Sequence, residues 1–239
     1  MRNIKWMTDL PYELPNIIDI TEQLTRHKNR TYDVRRPQDI TAIVIHHTVT
    51  TAPIENIAKS HVNNDGWPGI GYHLIISNDR VYQVNDLNAA SYHAKGWNDK
   101  SIGISIHADL TKRSLTEFER MLLYGTILTV KSLYPTINRI VGHNEASKEL
   151  NLPGTLCPAT DMNRIRQDIL NLENQIAYEK SPEAIRTKAY AVANNVSYLY
   201  NMANGKDEHG NPANPQQQEW AVRMLIKLFP AFKDAGLLQ

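Results

Sequence analysis

Three side chains able to bind a metal stand where strand-like or loop segments end. His46 and its neighbour His47 lie near the end of "AIVIHHTVT" (Ala42 to Thr50), His143 ends "RIVGH", and Cys157, the chain's one cysteine, sits in "LPGTLCPAT". Two imidazoles, one thiolate and an open fourth position make the donor set of a catalytic zinc ion. Only one of the paired histidines can serve, because neighbouring side chains in a strand point to opposite faces. Taken singly, each residue has a plainer reading: a strand-end histidine satisfied by its surroundings, or a cysteine packed as a small hydrophobe. A cysteine hydrolase that pairs Cys157 with His143 is the chemical alternative, and it needs no metal. A helix beginning near Thr160 would favour a thiolate at Cys157 through its N-terminal dipole.

Positioning these groups takes a sheet whose strand ends converge. Strand-like segments run over Ala42–His47, Tyr72–Ser77, Arg80–Val84, Ser101–His107 and Arg139–His143, with "SNDR" as a tight hairpin turn between the second and third. Helical patterns lie between them. Pro53–Asn64 carries proline in its first turn. In "SLTEFERMLLYGTILTVKSLY", Thr116 and Glu119 have capping-box spacing, and Phe118, Leu122 and Gly125 share a face. After "CPAT", the residues Met162, Ile165, Ile169, Leu172 and Ile176 repeat as one buried helix face. A short helix is expected over Ile17–His27. Strands interleaved with helices give an α/β domain on a central sheet.

This first domain is expected to span 1–178. "YEKSPEA" reads as a hinge, with Ser181 and Pro182 fit to start a new helix. Ile185, Ala189, Val192, Val196 and Leu199 form one further apolar stripe; Leu225, Leu228, Phe229 and Phe232 form another, ended by Pro230 and Gly236. Between them "NGKDEHGNPANPQQQ" reads as a polar loop. Residues 181–239 are thus expected to make a small helical module. A net charge of +1 with 41% hydrophobic residues offers no electrostatic footprint for nucleic acid. The N-terminus has no secretory apolar core, and no run is long enough to insert in a membrane.

The words around the three donors narrow the reading. "IVIHHT", "GYHLIISNDRVYQV", "HAKGWNDKSIGISI", "GHNEAS" and "PGTLCP", in this order, resemble the N-acetylmuramoyl-L-alanine amidases of the type-2 amidase and peptidoglycan-recognition family, including phage lysozymes of amidase type. The core motifs lie within 42–166. The resemblance implies a central mixed β-sheet flanked by helices, and a zinc hydrolase that cuts the amide between the lactyl group of N-acetylmuramic acid and L-alanine. Mapped by motif, the Zn2+ ligands are His46, His143 and Cys157; His47 then faces the helix layer. The family's tyrosine falls on Tyr72, and a second polar group, Lys or Thr among members, falls on Thr155. His93 and Asn98 lie in a segment that borders the family's groove; Asn98 is expected to contact substrate, and His93 either to contact substrate or to shape the site. By strand alternation, His73 and His107 keep structural roles.

One departure concerns proton transfer. Some relatives have a glutamate after "SIGI" as a candidate general base, whereas Ser105 stands here. Proton transfer to the leaving amine is thereby left unassigned; Tyr72 is the best candidate, although its ordinary pKa near ~10 is far from ideal. The rival from another class is a binding-only recognition protein; members of that kind resemble ones that lost a zinc ligand, commonly the cysteine. Cys157 and Tyr72, kept together, favour the enzyme; a compact amidase with no secretory segment and an added C-terminal module looks like a phage or prophage endolysin, expected to act on bacterial peptidoglycan as a monomer. Made in the host cytoplasm, it would reach the wall after the membrane is breached, and residues 181–239 would bind that wall.

Overall fold

The computed structural model describes residues 14–182, 197–206 and 209–234, together with 7, 10 and 184. The chain divides into two compact units, Met1–Ile176 and Ala177–Gln239.

The first unit is built on six strands: β1 (Ile17–Asp19), β2 (Ala42–His47), β3 (Leu74–Ser77), β4 (Arg80–Gln83), β5 (Ser101–Ile106) and β6 (Arg139–Gly142). Their order across the sheet is β1-β4-β3-β5-β2-β6. Every neighbouring pair is parallel except the β3–β4 hairpin, which turns through Asn78 at φ +54°. Helices α1 (Ile54–Asn63), α2 (Glu117–Leu133), α3 (His143–Glu149) and α4 (Met162–Glu179), the last as far as Ile176, complete it. This is the mixed sheet flanked by helices that the resemblance implies.

The central strands are buried on both faces, as parallel strands covered by helices must be. Ile43 and Ile45 of β2, with Ile102, Ile104 and Ile106 of β5, pack against Leu122 and Ile127 of α2 and Ile165 and Ile169 of α4. On the opposite face Ala42 and Val44 join Trp97, Val141 and Ala146. Farther along the sheet, Ile75 meets Ile54, Ile57 and Ala58 of α1. The β2–β5 register sets Ala42, Val44 and His46 beside Ser101, Gly103 and Ser105. The sequence "SIGISI" therefore fills one face with isoleucine and leaves the other hollow.

Helix α2 begins with the expected capping box. The Thr116 side chain accepts from the Glu119 amide, and the Glu119 carboxylate accepts from the Thr116 amide while Arg113 grips it at 2.6 and 2.7 Å. Leu122 and Gly125 are buried, but Phe118 is exposed. It sits in the first turn, whereas the run that packs is Leu122–Val130. The Leu14 side chain packs its end into the space that Gly125 leaves on the helix.

Other expectations are corrected. Ile17–His27 is not a helix: Ile17 and Ile18 add an edge strand along β4, and Asp19 accepts from the Thr21 amide and hydroxyl at 2.9 and 2.7 Å, turning the chain into a short 3-10 segment, Thr21–Gln23. The local Asp turn and the β-branched pair outweigh the helical spacing. The strand "RIVGH" stops at Gly142, and His143 opens α3, because the Glu145 carboxylate reaches back to the Gly142 amide at 2.9 Å.

In the second unit, the Ser181 hydroxyl accepts from the Ala184 amide, a start signal at the expected place. Ile185, Ala189, Val192, Val196 and Gly236 lie outside the described residues. Leu199, Met202, Ala213 and Ala221 form a small core. Helix α5 runs Pro215–Asp234, so it starts inside the supposed polar loop and passes through Pro230 rather than ending there. Asn214 and Gln217 exchange side-chain and amide hydrogen bonds at 2.9 Å, with Pro215 at the first helical position. That reciprocal cap is why a polar stretch begins a helix.

Candidate metal centre

Three segments meet at the carboxyl ends of the central strands: the last residues of β2, the β6–α3 junction and the loop before α4. They bring His46, His143 and Cys157 together with ligand atoms within 4.8 Å of one another. His46 Nδ1 lies 3.6 Å from Cys157 Sγ, and the His46 and His143 rings are 4.7 Å apart at their centroids. Donors of a tetrahedral zinc site stand roughly 3.5 Å apart, so two nitrogens and a sulphur at these spacings fit the ion with little movement. His46 and Cys157 are buried and His143 is half-buried. Among the described residues this is the one group of three His, Cys, Asp or Glu side chains close enough to share a metal.

Backbone ties fix the trio. The Asn144 amide donates to the Cys157 carbonyl at 2.7 Å, joining α3 to the cysteine loop. A Cβ at Gly142 would press on Pro158 and Met162 at 2.8 and 3.1 Å, so the two segments touch only because that residue is glycine. The His47 amide donates to Cys157 Sγ at 3.4 Å. The His47 ring turns to the α2/α4 side, but its partner is a loop rather than a helix: Nδ1 accepts from the Leu110 amide at 2.9 Å.

Burial favours the neutral form of each of the three donors. Burial drives His46 well below the usual histidine range, lowers His143, and takes His93 down to about 3. The Cys157 thiol is pushed up to about 11 by burial, opposed by the His47 amide. The expected help from a helix dipole does not prevail, because α4 starts only at Met162 and desolvation is the larger effect. A thiolate here therefore calls for a cation beside it.

The other expected site residues divide. The Tyr72 ring stands 5.4 Å from His46, its carbonyl held by Asn85 Nδ2 at 2.7 Å, and burial raises its phenol pKa far above normal, with the neighbouring Ser105 hydroxyl pulling the other way. Thr155 is beside the ligand loop, its Oγ1 accepting from the Cys157 amide at 3.1 Å. His93 lies directly behind His46, with Nδ1 at 3.1 Å from His46 Nε2. Asn98 is not brought into this cluster: its amide oxygen accepts from the Ala94 amide at 2.8 Å, closing its own loop. His73 and His107 are each tied into the surrounding fold. His73 Nδ1 accepts from the Gly103 amide, and His107 bonds Ser77 and the Ala52 carbonyl. Sequence reasoning passed over a row of rings that leads away from Tyr72 through His61 and Trp67 to Tyr92. Gly71 was its available signal, since a Cβ there would strike Trp67 at 2.8 Å.

Similarities to known proteins fall on these same segments. A family described as N-acetylmuramoyl-L-alanine amidase matches residues 36–160, more than half of the chain. Peptidoglycan-recognition protein SC2 of Drosophila melanogaster is 30% identical over 136 residues, covering 52% of this chain and 71% of that protein. The endolysin of Enterobacteria phage T3 is 25% identical over 139 residues, covering 54% of this chain and 87% of the phage protein. Among solved structures, the Ph2119 endolysin of a Thermus scotoductus bacteriophage superimposes with a TM-score of 0.51 at 28% identity, over 64% of this chain and 97% of that one.

Proposed function

The chain belongs to the N-acetylmuramoyl-L-alanine amidase family, and we propose that it cleaves the bond between the N-acetylmuramic acid lactyl group and L-alanine using zinc held by His46, His143 and Cys157. It is a peptidoglycan hydrolase of the endolysin kind. The observation that carries the zinc reading is the convergence of those three donors, from segments far apart in sequence, inside the matched span. Bound there, Zn2+ supplies a Lewis acid for the amide carbonyl and a water acidified toward neutral pH.

The chain's own groups supply the rest. Burial keeps the Tyr72 phenol protonated, so at neutral pH it is a hydrogen-bond donor for the oxyanion that develops as the carbonyl is attacked. Thr155 spends a lone pair on the Cys157 amide and still has its hydroxyl proton to give. Ser105 is fully buried and cannot act as a base at neutral pH, so proton delivery to the leaving amine falls to Tyr72 or to solvent. His93 shapes the site from behind His46.

Two other readings lose ground on particular observations. A cysteine nucleophile needs a thiolate, whereas this thiol is buried and raised to about 11. A binding-only recognition protein needs no complete donor set with a tyrosine beside it, and here both are present. Digestion of purified sacculi separates all three. The amidase releases new L-alanine amino termini without new reducing sugars, and it loses activity when metal is chelated and regains it with zinc. A binder releases neither product, and a cysteine hydrolase ignores the chelator.

Residues 181–239 act as a wall-binding module, and the protein works as a monomer that reaches peptidoglycan once the membrane is breached. Among the described residues no helix is long and apolar enough to cross a membrane. The support for a separate module is the compact second unit with its own small core. A chain ending near Tyr178 is expected to cleave small soluble muropeptides at the full-length rate and to pellet several-fold less with intact walls; an insoluble product would show that the two units are one folding body.

A further inference from the structure

His93 is fully enclosed and stands on the hollow side of β5, directly over Gly103. A Cβ at Gly103 would lie 2.6 Å from His93 Cγ, so the ring occupies the place a side chain would take. Glycine inside a central strand costs stability and marks a close approach. Here the group that approaches is an imidazole whose two nitrogens are both committed.

The commitments fix the protons. His93 Nε2 is 3.2 Å from the Ser101 carbonyl oxygen and 3.3 Å from Ser101 Oγ. The carbonyl can only accept, and the Ser101 hydroxyl gives its proton to the Trp97 carbonyl at 2.5 Å. Both neighbours of Nε2 are thus acceptors, so Nε2 carries hydrogen. In a neutral ring Nδ1 is then a bare lone pair. That lone pair is 3.1 Å from His46 Nε2, which must carry hydrogen in turn. His46 Nδ1 is left unprotonated, 3.6 Å from Cys157 Sγ.

We propose that His93 is a positioning residue that holds His46 in the tautomer with hydrogen on Nε2, so that Nδ1 is the atom presented to zinc, and that the chain of hydrogen bonds is anchored on the Ser101 carbonyl. This rests on the zinc reading above. The anchor is a backbone atom of a strand paired on both sides, so the orientation of His46 is set by the sheet itself. Partners of this kind raise the basicity of a ligating imidazole, and their loss weakens metal binding by about 10- to 100-fold.

The test has two arms. In the first, 15N chemical shifts of the histidine rings are measured in the metal-free wild type; the expected pattern is Nε2 protonated and Nδ1 bare in both His46 and His93. A His46 ring carrying hydrogen on Nδ1 would overturn the proposal, and this arm needs no variant to fold. In the second, zinc affinity is measured by chelator competition for wild type, His93→Phe and His93→Asn. His93→Phe keeps a ring over Gly103 but has no acceptor, and zinc should bind about 10- to 100-fold more weakly. His93→Asn places an amide oxygen near the lost Nδ1 and should recover most of that affinity, which a simple packing role would not predict. Unchanged affinity in a folded His93→Phe would overturn the proposal alone. A wild type that takes up no zinc would instead end the zinc reading itself, and this one with it.

Discussion

His46 and His47 are adjacent in the chain, yet the two sides of β2 treat them as different residues. On the His46 side the sheet is hollowed by Ser101, Gly103 and Ser105, and the space is filled by imidazoles, a phenol and a thiol. On the His47 side the same strands present isoleucines to α2 and α4, and one loop amide satisfies the ring. The difference lies in the neighbours that the β5 register supplies, small residues on one face and branched ones on the other. His46 on the first face stands among other potential donors, and His47 on the second accepts a hydrogen bond from one loop amide.

The largest expected effect breaks the pair apart. His46→Ala should abolish stoichiometric zinc uptake and amidase turnover. His47→Ala should keep about one zinc per chain and lose about 1–3 kcal/mol of unfolding free energy, the cost of a buried amide without its acceptor. Metal analysis beside denaturant titration decides it, and a reversed pattern would mean the faces are assigned wrongly by one residue.

A smaller effect sharpens what the hollow face does besides the proposed metal binding. Tyr72→Phe removes one oxygen and keeps the ring against His46, so zinc content and the melting temperature should persist. Turnover should fall by about 10²–10³, the scale for one oxyanion donor, with KM little changed. Wild-type kcat in that variant would return Tyr72 to a packing role.

The smallest effect is a slope. Burial depresses the pKa of His46 and His93, so the folded protein resists taking protons that the unfolded chain accepts near pH 6.5. The unfolded state then binds more protons, and stability of the metal-free protein should decline as pH falls below about 6.5, with His93 contributing to the loss until about 3. His93→Asn should flatten that decline, as read from melting temperatures across acid pH; an unaltered slope would remove His93 from the account.

Much of this was legible in the sequence. Residue type and position made His46 or His47, His143 and Cys157 candidates for zinc, and the motifs around them, by their resemblance to the amidase family, narrowed the set to His46, His143 and Cys157. The capping box of α2 and the apolar repeat of α4 were equally plain, since both are local patterns. What escaped depended on partners distant in sequence. Strand β1 exists because Ile17 finds Val81, and no local periodicity announces that pairing. The first turn of α3 was hidden because Gly142 and His143 read as the tail of a strand until Glu145 folds back. His93 was marked as a site residue, but its role behind His46 was written in another segment, in the alternation of small residues and isoleucine along "SIGISI".

The hydrogen bond from Asn144 to Cys157 has a consequence for synthesis. His46 and Cys157 are 111 positions apart, and the strand that delivers His143 pairs with β2 only after nearly the whole first unit has been made. During translation, a growing chain that has not reached Cys157 carries two histidines without the thiolate that completes the set, and non-local pairings of this kind form late. Translation products that stop short of Cys157 should therefore be inert towards peptidoglycan, and competence should begin only once the first unit has been made.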